Sequence, residues 1–176
     1  MGVRTDVFSL EGLGLQAGEG RRFEFEVGVE DVLVGSERYG VAPASMPVVL
    51  DLSRTTHAGW AMRLRFEMRL SGPCMRCLEP AEPGFPADLR EVSIPGGGDD
   101  LTSPYVSDAG ELDLRAWLRD AVRLTIPDQI LCRPDCAGLC PVCGENLNEW
   151  VAGDRIHEHE REPDPRWAAL RDLKLE

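Results

Sequence analysis

Trp60-Ala61-Met62-Arg63-Leu64-Arg65-Phe66-Glu67-Met68-Arg69-Leu70-Ser71 alternates apolar and polar side chains almost without a break. Trp60, Met62, Leu64, Phe66, Met68 and Leu70 fall on one side. Ala61, Arg63, Arg65, Glu67, Arg69 and Ser71 fall on the other. A period of two sustained this long predicts a β-strand with one buried face and one wet face. The strand runs straight into Cys74-Met75-Arg76-Cys77.

The neighbouring stretches repeat the pattern. Upstream, Phe23, Phe25, Val27 and Val29 alternate with polar residues across 22–30, another half-buried strand. Residues 46–52 read as a further strand, with Pro47 near its start, where a missing N–H is tolerated. Downstream, Phe85, Ala87 and Leu89 mark a weaker strand at about 85–94, after the Pro-rich turn 80–83. That order puts Cys74 and Cys77 at the tip of a hairpin. Asp113 caps a helix over 114–124, on which Leu114, Trp117, Leu118, Ala121 and Leu124 recur at helical spacing, with Pro127 beyond its end. Asp164, Pro165 and the apolar Trp167, Ala168, Ala169 and Leu170 predict a short terminal helix at 165–174. The expected fold class is α+β, mainly β: a curled or barrel-like antiparallel sheet with one covering helix. The expected division is 1–130, a β-rich domain with one helix, and 131–176, a cysteine-rich metal-binding tail.

Four of the six cysteines crowd into residues 132–143: Cys132, Cys136, Cys140 and Cys143. Cys140-Pro141-Val142-Cys143-Gly144 has the form of a zinc knuckle, in which two thiolates grip one ion at about 2.3 Å. Pro141 stiffens the turn, and Gly144 can take the positive φ that aims backbone N–H groups at the sulfurs. A redox Cys-x-x-Cys belongs between a strand and a helix, and this one does not lie there. A knuckle supplies half a tetrahedron, so more donors are needed. Cys74 and Cys77 form a second pair, and His157-Glu158-His159 follows downstream; in an extended segment His157 and His159 point to one side. Six cysteines and these two histidines make eight donors, enough for two four-coordinate zinc sites. The predicted sets are Cys74, Cys77, Cys132 and Cys136, and Cys140, Cys143, His157 and His159, with Gly138 permitting the turn between them.

Formal net charge is −12 over 176 residues, with 19 basic and 31 acidic side chains. A chain so acidic repels bare nucleic acid as a whole, so an RNA contact must be local, and a basic partner suits it. The local exception is residues 54–76, where Arg54, Arg63, Arg65, Arg69 and Arg76 are opposed only by Glu67, a local +4. Arg63, Arg65 and Arg69 share one strand face, a candidate phosphate-contacting stripe or an ordinary solvated face. No basic region precedes an apolar stretch at the start, and no run approaches the roughly 20 apolar residues of a membrane span. The expectation is a cytoplasmic protein without membrane contact, in a compartment where clustered thiols bind metal. Gly-x-Ser-x-Gly, phosphate-loop, dinucleotide and His-Glu-x-x-His motifs are all missing from the sequence. His57 falls in an expected turn, and closed four-donor sites leave no open position for water, so the reading is non-enzymatic, with no small-molecule substrate.

These pieces in this order resemble the bacterial YceD family, large ribosomal RNA subunit accumulation proteins. The resemblance rests on the strand ending in Cys74-Met75-Arg76-Cys77, on Gly110-Glu111-Leu112-Asp113-Leu114 opening a helix that ends at Ile126-Pro127, and on Cys132 through Gly144 with Leu147-Asn148. Asp164-Pro165-Arg166-Trp167 and Leu170 complete it. It covers about residues 60–175. It implies a role in large-subunit biogenesis and 23S ribosomal RNA accumulation. The partners would be the pre-ribosomal large subunit, 23S rRNA or a basic ribosomal protein. One departure stands out: where many relatives carry Cys-x-Cys, this chain has His157-x-His159. Either the donor type has changed there or that end of the site has been lost.

Overall fold

The computed structural model describes residues 3–4, 6–56 and 58–159. His57 and the segment read as a terminal helix, 165–174, lie outside them. The strands are β1 (Val3–Arg4), β2 (Val7–Ser9), β3 (Gly20–Gly28), β4 (Val32–Val34), β5 (Glu37–Ala42), β6 (Ser45–Arg54), β7 (Trp60–Pro73), β8 (Pro80–Ala81), β9 (Gly84–Ser93) and β10 (Glu111–Asp113). Helix α1 spans Leu114–Thr125 and α2 spans Leu147–Ala152.

β7 is the spine. One of its edges pairs with β6 over 60–66 and with β5 over 69–71; the other pairs with β9 over 60–69 and with β8 at 72–73. β6 in turn carries β3, which carries β1 in the sheet's parallel pair. The alternation quoted above is reproduced in burial: Trp60, Met62, Leu64, Phe66, Met68 and Leu70 are all buried. Phe25, Val27, Met46, Val48, Leu50 and Leu52 join them on the same face. Removing such a side chain, as in Leu64→Ala, costs about 2–5 kcal/mol. Pro47 precedes the start of pairing with β7 at Val48, so its missing N–H breaks no bond on that side.

The sheet does not close. β6 carries β3 and β1 on one side of β7, β9 lies on the other side, and among the described residues β9 pairs with β7 and not with β1 or β3, so the barrel-like expectation is corrected to an open sheet. Period-two patterning specifies which face is buried, whereas closure depends on stagger and strand number, which the pattern does not carry. A separate two-stranded ribbon, β2 with β10, leads directly into α1.

Asp113 caps α1, its Oδ1 accepting from the Ala116 N–H at 2.8 Å. Leu114, Trp117, Leu118, Ala121 and Val122 bury one face of this helix against the inner side of the sheet. Leu124, expected in the stripe, is 74% exposed. It is the next-to-last residue of α1, and Val122, on the other flank of the stripe, is the one buried. A smaller buried cluster lies apart from this core: Cys74, Cys77, Ala81 and Cys136, packed with Leu131, Cys132 and Leu139.

Candidate metal centres

Two turns with one backbone design hold the cysteines. In the first, the Cys74 N–H donates to the Glu79 carbonyl at 2.8 Å and the Leu78 N–H to the Cys74 carbonyl at 2.9 Å. In the second, the Cys140 N–H donates to the Glu145 carbonyl at 2.8 Å and the Gly144 N–H to the Cys140 carbonyl at 2.9 Å. Leu78 and Gly144 are left-handed, at φ 63° and 78°. Both sequences therefore form the same knuckle. The first is the tip of the β7–β8 hairpin; the second follows the Cys132–Cys136 loop.

The structure brings all eight expected donors together in two groups. Cys74, Cys77, Cys132 and Cys136 form one, and Cys140, Cys143, His157 and His159 the other; within each, the donor atoms lie within 4.8 Å of one another. In the first, Cys74 Sγ is 3.8 Å from Cys136 Sγ, and Cys77 Sγ is 3.6 Å from Cys132 Sγ. Thiolates on a tetrahedral ion at about 2.3 Å sit about 3.8 Å apart, whereas disulfide sulfurs sit at about 2.05 Å. The spacing fits an ion and not a cross-link, and all six cysteines are free. In the second, Cys140 Sγ is 3.2 Å from His159 Nε2, Cys143 Sγ is 3.3 Å from His157 Nε2, and the two Nε2 atoms are 2.8 Å apart. Zn–N bonds of about 2.0–2.1 Å set tetrahedral N···N edges near 3.3 Å, so an ion would open the histidine pair slightly.

Electrostatics make the same point. Burial pushes the Cys74 thiol up, but the backbone N–H groups of Cys77, Arg76 and Cys132 outweigh it and bring it down to about 6. Burial and the three neighbouring sulfurs push Cys132 up to about 12. The Cys143 and Val142 N–H groups bring Cys140 down to about 6. The protein stabilises one thiolate per knuckle, and the further thiolates repel it. With Cys77 and Cys132 pushed up, ionising all four sulfurs of this cluster would require a cation.

Supporting residues surround both groups. Glu145 Oε2 lies 3.4 Å from His157 Nδ1 and accepts from Trp150 Nε1 at 3.0 Å. A carboxylate on the far nitrogen fixes the tautomer that leaves Nε2 free to bind metal. The Trp150 ring packs edge-on against His157, with centroids 4.6 Å apart. Asn148, at the start of α2, donates from Nδ2 to Cys136 Sγ at 3.5 Å. Burial raises the Cys136 thiol, and the Asn148 amide leads the donors that bring it below the usual range. The Cys-and-His reading above omitted Glu145 and Trp150 and gave Asn148 no role. Their one signal in the sequence is position: Glu145 is two residues past the second cysteine of a knuckle, and Trp150 follows five residues later, in α2.

The arginine stripe looks different in place. Arg63 Nε donates to Asp88 Oδ1 at 2.7 Å. Asp51 takes Arg22 Nε at 2.6 Å and Arg65 Nη2 at 2.7 Å. By register, the outer face of β3, β6, β7 and β9 carries Arg22, Arg63, Arg65, Arg69 and Arg90 against Glu24, Glu26, Asp51, Glu67 and Asp88. Five cations meet five anions, so the local excess in the linear sequence is cancelled across strands. Arg54 lies off this face, stacked on Trp60 at 4.6 Å, and Arg76 donates to the Cys136 carbonyl at 3.1 Å.

A profile described as large ribosomal RNA subunit accumulation protein YceD matches residues 62–174, the span that holds most of β7 and every candidate donor. The chain belongs to the YceD family. An uncharacterized protein of Mycobacterium tuberculosis is 38% identical over 108 residues, 58% of this chain and 49% of the relative. One of Mycobacterium leprae is 33% identical over 106 residues, 57% of this chain and 46% of the relative. A maize relative, large ribosomal RNA subunit accumulation protein YCED homolog 1, chloroplastic, is 45% identical over 38 residues, 22% of this chain and 13% of its own. The chain spans about half the length of the mycobacterial relatives it matches. No solved structure matches. The family's description names accumulation of the large-subunit ribosomal RNA. Among the described residues no helix is long and apolar enough to cross a membrane.

Proposed function

We propose that this chain is a zinc-binding, non-enzymatic, cytoplasmic factor in large-subunit biogenesis that sustains 23S rRNA accumulation. The observation that carries the reading is the convergence of four sulfurs, and of two sulfurs with two imidazole nitrogens, within the stretch matched by the family profile. Thiolate and imidazole donors in tetrahedral sets are the donors of structural zinc. Four protein donors at each centre support a structural role, holding the β7–β8 tip to the Cys132–Cys136 loop and the second knuckle to the His157–His159 segment. Depleting the protein in its host should lower 23S relative to 16S rRNA. Restoration by a variant lacking Cys74 and Cys77 would overturn the role assigned to the metal.

A second reading is favoured by one observation, the charge cancellation on the outer sheet face. A chain of net charge −12 whose candidate phosphate stripe is neutralised suits a basic ribosomal protein better than bare RNA. Binding of the purified chain to 23S rRNA and to large-subunit proteins, across a salt series, separates the two. Tight, salt-sensitive RNA binding lost on reversing Arg63, Arg65 and Arg69 would return the stripe to an RNA contact.

A further inference from the structure

Asn148 follows the second knuckle in sequence and reaches the first centre with its side chain. It sits on α2, directly after the second knuckle, and its own N–H is held by the Asn146 side chain at 3.1 Å. Its side chain reaches the first centre. Oδ1 accepts from the Ala137 N–H at 2.8 Å and from Arg133 Nη2 at 2.7 Å, both in the loop that carries Cys132 and Cys136. Nδ2 donates to Cys136 Sγ at 3.5 Å and to Asn146 Oδ1 at 2.9 Å. The backbone makes a parallel seam: Leu147 N–H to the Gly138 carbonyl at 2.9 Å, and Leu139 N–H to the Arg76 carbonyl at 3.0 Å. Gly138 is left-handed at φ 79°, and a Cβ there would lie 3.2 Å from the Arg76 carbonyl oxygen, so the two knuckles approach more closely than a larger residue allows.

From this geometry we infer that Asn148 is a positioning residue that couples the two centres, so that an ion at the second strengthens binding at the first. The second ion holds Cys140 and Cys143 against His157 and His159, which fixes the segment from which α2 starts. α2 presents the Asn148 amide to Cys136. An N–H donor on a metal thiolate tempers its charge and fixes its direction, an effect that typically changes metal affinity about 10–100-fold. If the second ion is lost and α2 detaches, Cys136 loses that donor. Linkage makes the effect reciprocal: an ion at the first centre strengthens binding at the second by the same factor.

The inference rests on metal binding at both centres, and cobalt tests it in the full chain, because a four-sulfur set and a two-sulfur, two-nitrogen set absorb differently. Cobalt affinity at the first centre is measured by chelator competition in four proteins: the parent, Asn148→Ala, a second-centre variant (Cys143→Ala with His159→Ala), and the combination. The expected result is about a 10-fold loss for each change. The combination should lose no more than the weaker of the two, because both act through one contact. The sulfur-to-cobalt band of the first centre should move to lower energy in Asn148→Ala, a shift that loss of helix packing alone does not produce. Asn148→Asp keeps the acceptor for Ala137 and Arg133 but not the donor to Cys136, and should show the same spectral shift with α2 still docked. Losses that multiply, or an unchanged first-centre spectrum in both Asn148 variants, would overturn the coupling while leaving the metal reading intact. Failure of the parent to load cobalt at either centre would overturn both.

Discussion

Leu78 and Gly144 hold the same place in the two knuckles, one residue past the second cysteine, and both are left-handed, at φ 63° and 78°. Gly144 adopts that backbone freely, whereas Leu78 pays about 1–2 kcal/mol in Cβ crowding. Leu78 is also 66% exposed, so its side chain returns little packing energy. Leu78→Gly is expected to raise the melting temperature of the metal-loaded protein or leave it unchanged. Gly144→Leu should lower it and weaken metal retention at the second centre. Thermal unfolding of both variants checks the pair, and a clear loss of stability in Leu78→Gly would show that the leucine side chain holds the first knuckle.

The Tyr39 ring lies against Gly72 at the base of the same hairpin. A Cβ on Gly72 would collide with the Tyr39 ring at Cδ1, and the Tyr39 hydroxyl donates to the Pro73 carbonyl at 2.8 Å. Tyr39 is 1% exposed and cannot move aside. Gly72→Ala should therefore cost about 1–3 kcal/mol, the usual range for overpacking. Tyr39→Phe should cost about 1–3 kcal/mol by leaving a carbonyl unpaired next to Cys74. Chemical denaturation measures both, and a neutral Gly72→Ala would mean that the hairpin base yields.

The fate of the sequence expectations follows from how local each one is. Trp60 through Leu70 announce a strand because period-two burial is a property of the strand itself. Two Cys-x-x-Cys pairs announce knuckles because the turn is built within six residues. That Cys74 and Cys77 meet Cys132 and Cys136 was reachable by counting donors. Closure of the sheet was not, because it depends on whether β9 on one side of β7 reaches β3 or β1 on the other. Nor was cancellation of the Arg63 and Arg65 charges: Asp51 and Asp88 are distant in sequence and become neighbours only through the β6–β7–β9 register. α2 escaped notice because six residues carry too little periodicity, although Asn146 is a cap of ordinary kind.

Asp51 lies between Arg22 and Arg65, and their hydrogen bonds hold its carboxyl below the usual carboxylate range despite partial burial. A folded pKa below the unfolded one adds stability that is present above the unfolded value, about 3.9, and is lost as pH falls through the folded value. Asp51→Asn removes that contribution. The stability difference between the parent and Asp51→Asn should be constant at neutral pH and shrink on acidification below about pH 4. Because both proteins share every other titrating group, the difference isolates Asp51. A difference independent of pH down to 2 would mean that the Arg22–Asp51–Arg65 contact is not formed in solution.

The two centres should part company when metal is withdrawn. The first offers four sulfurs, with Cys74, Cys77 and Cys136 buried, and it joins a hairpin tip to a loop more than fifty residues further along the chain. The second offers two sulfurs and two nitrogens, with Cys143 exposed. Protein purified without added metal should hold two zinc ions by elemental analysis. A chelator should then remove them in two phases, the exposed centre first, because water and chelator reach Cys143 directly. Trp150 reports the first phase, since its ring lies against His157 and its Nε1 bonds Glu145. Trp60 and Trp117, buried in the sheet core, should respond only when the second phase unfolds the hairpin base. Metal binding energy at a centre that joins distant segments is folding energy, so that second phase should also lower the melting temperature of the whole sheet. A single zinc per chain, or release of both ions in one phase with every tryptophan changing together, would contradict the division into a buried clamp and an exposed clasp.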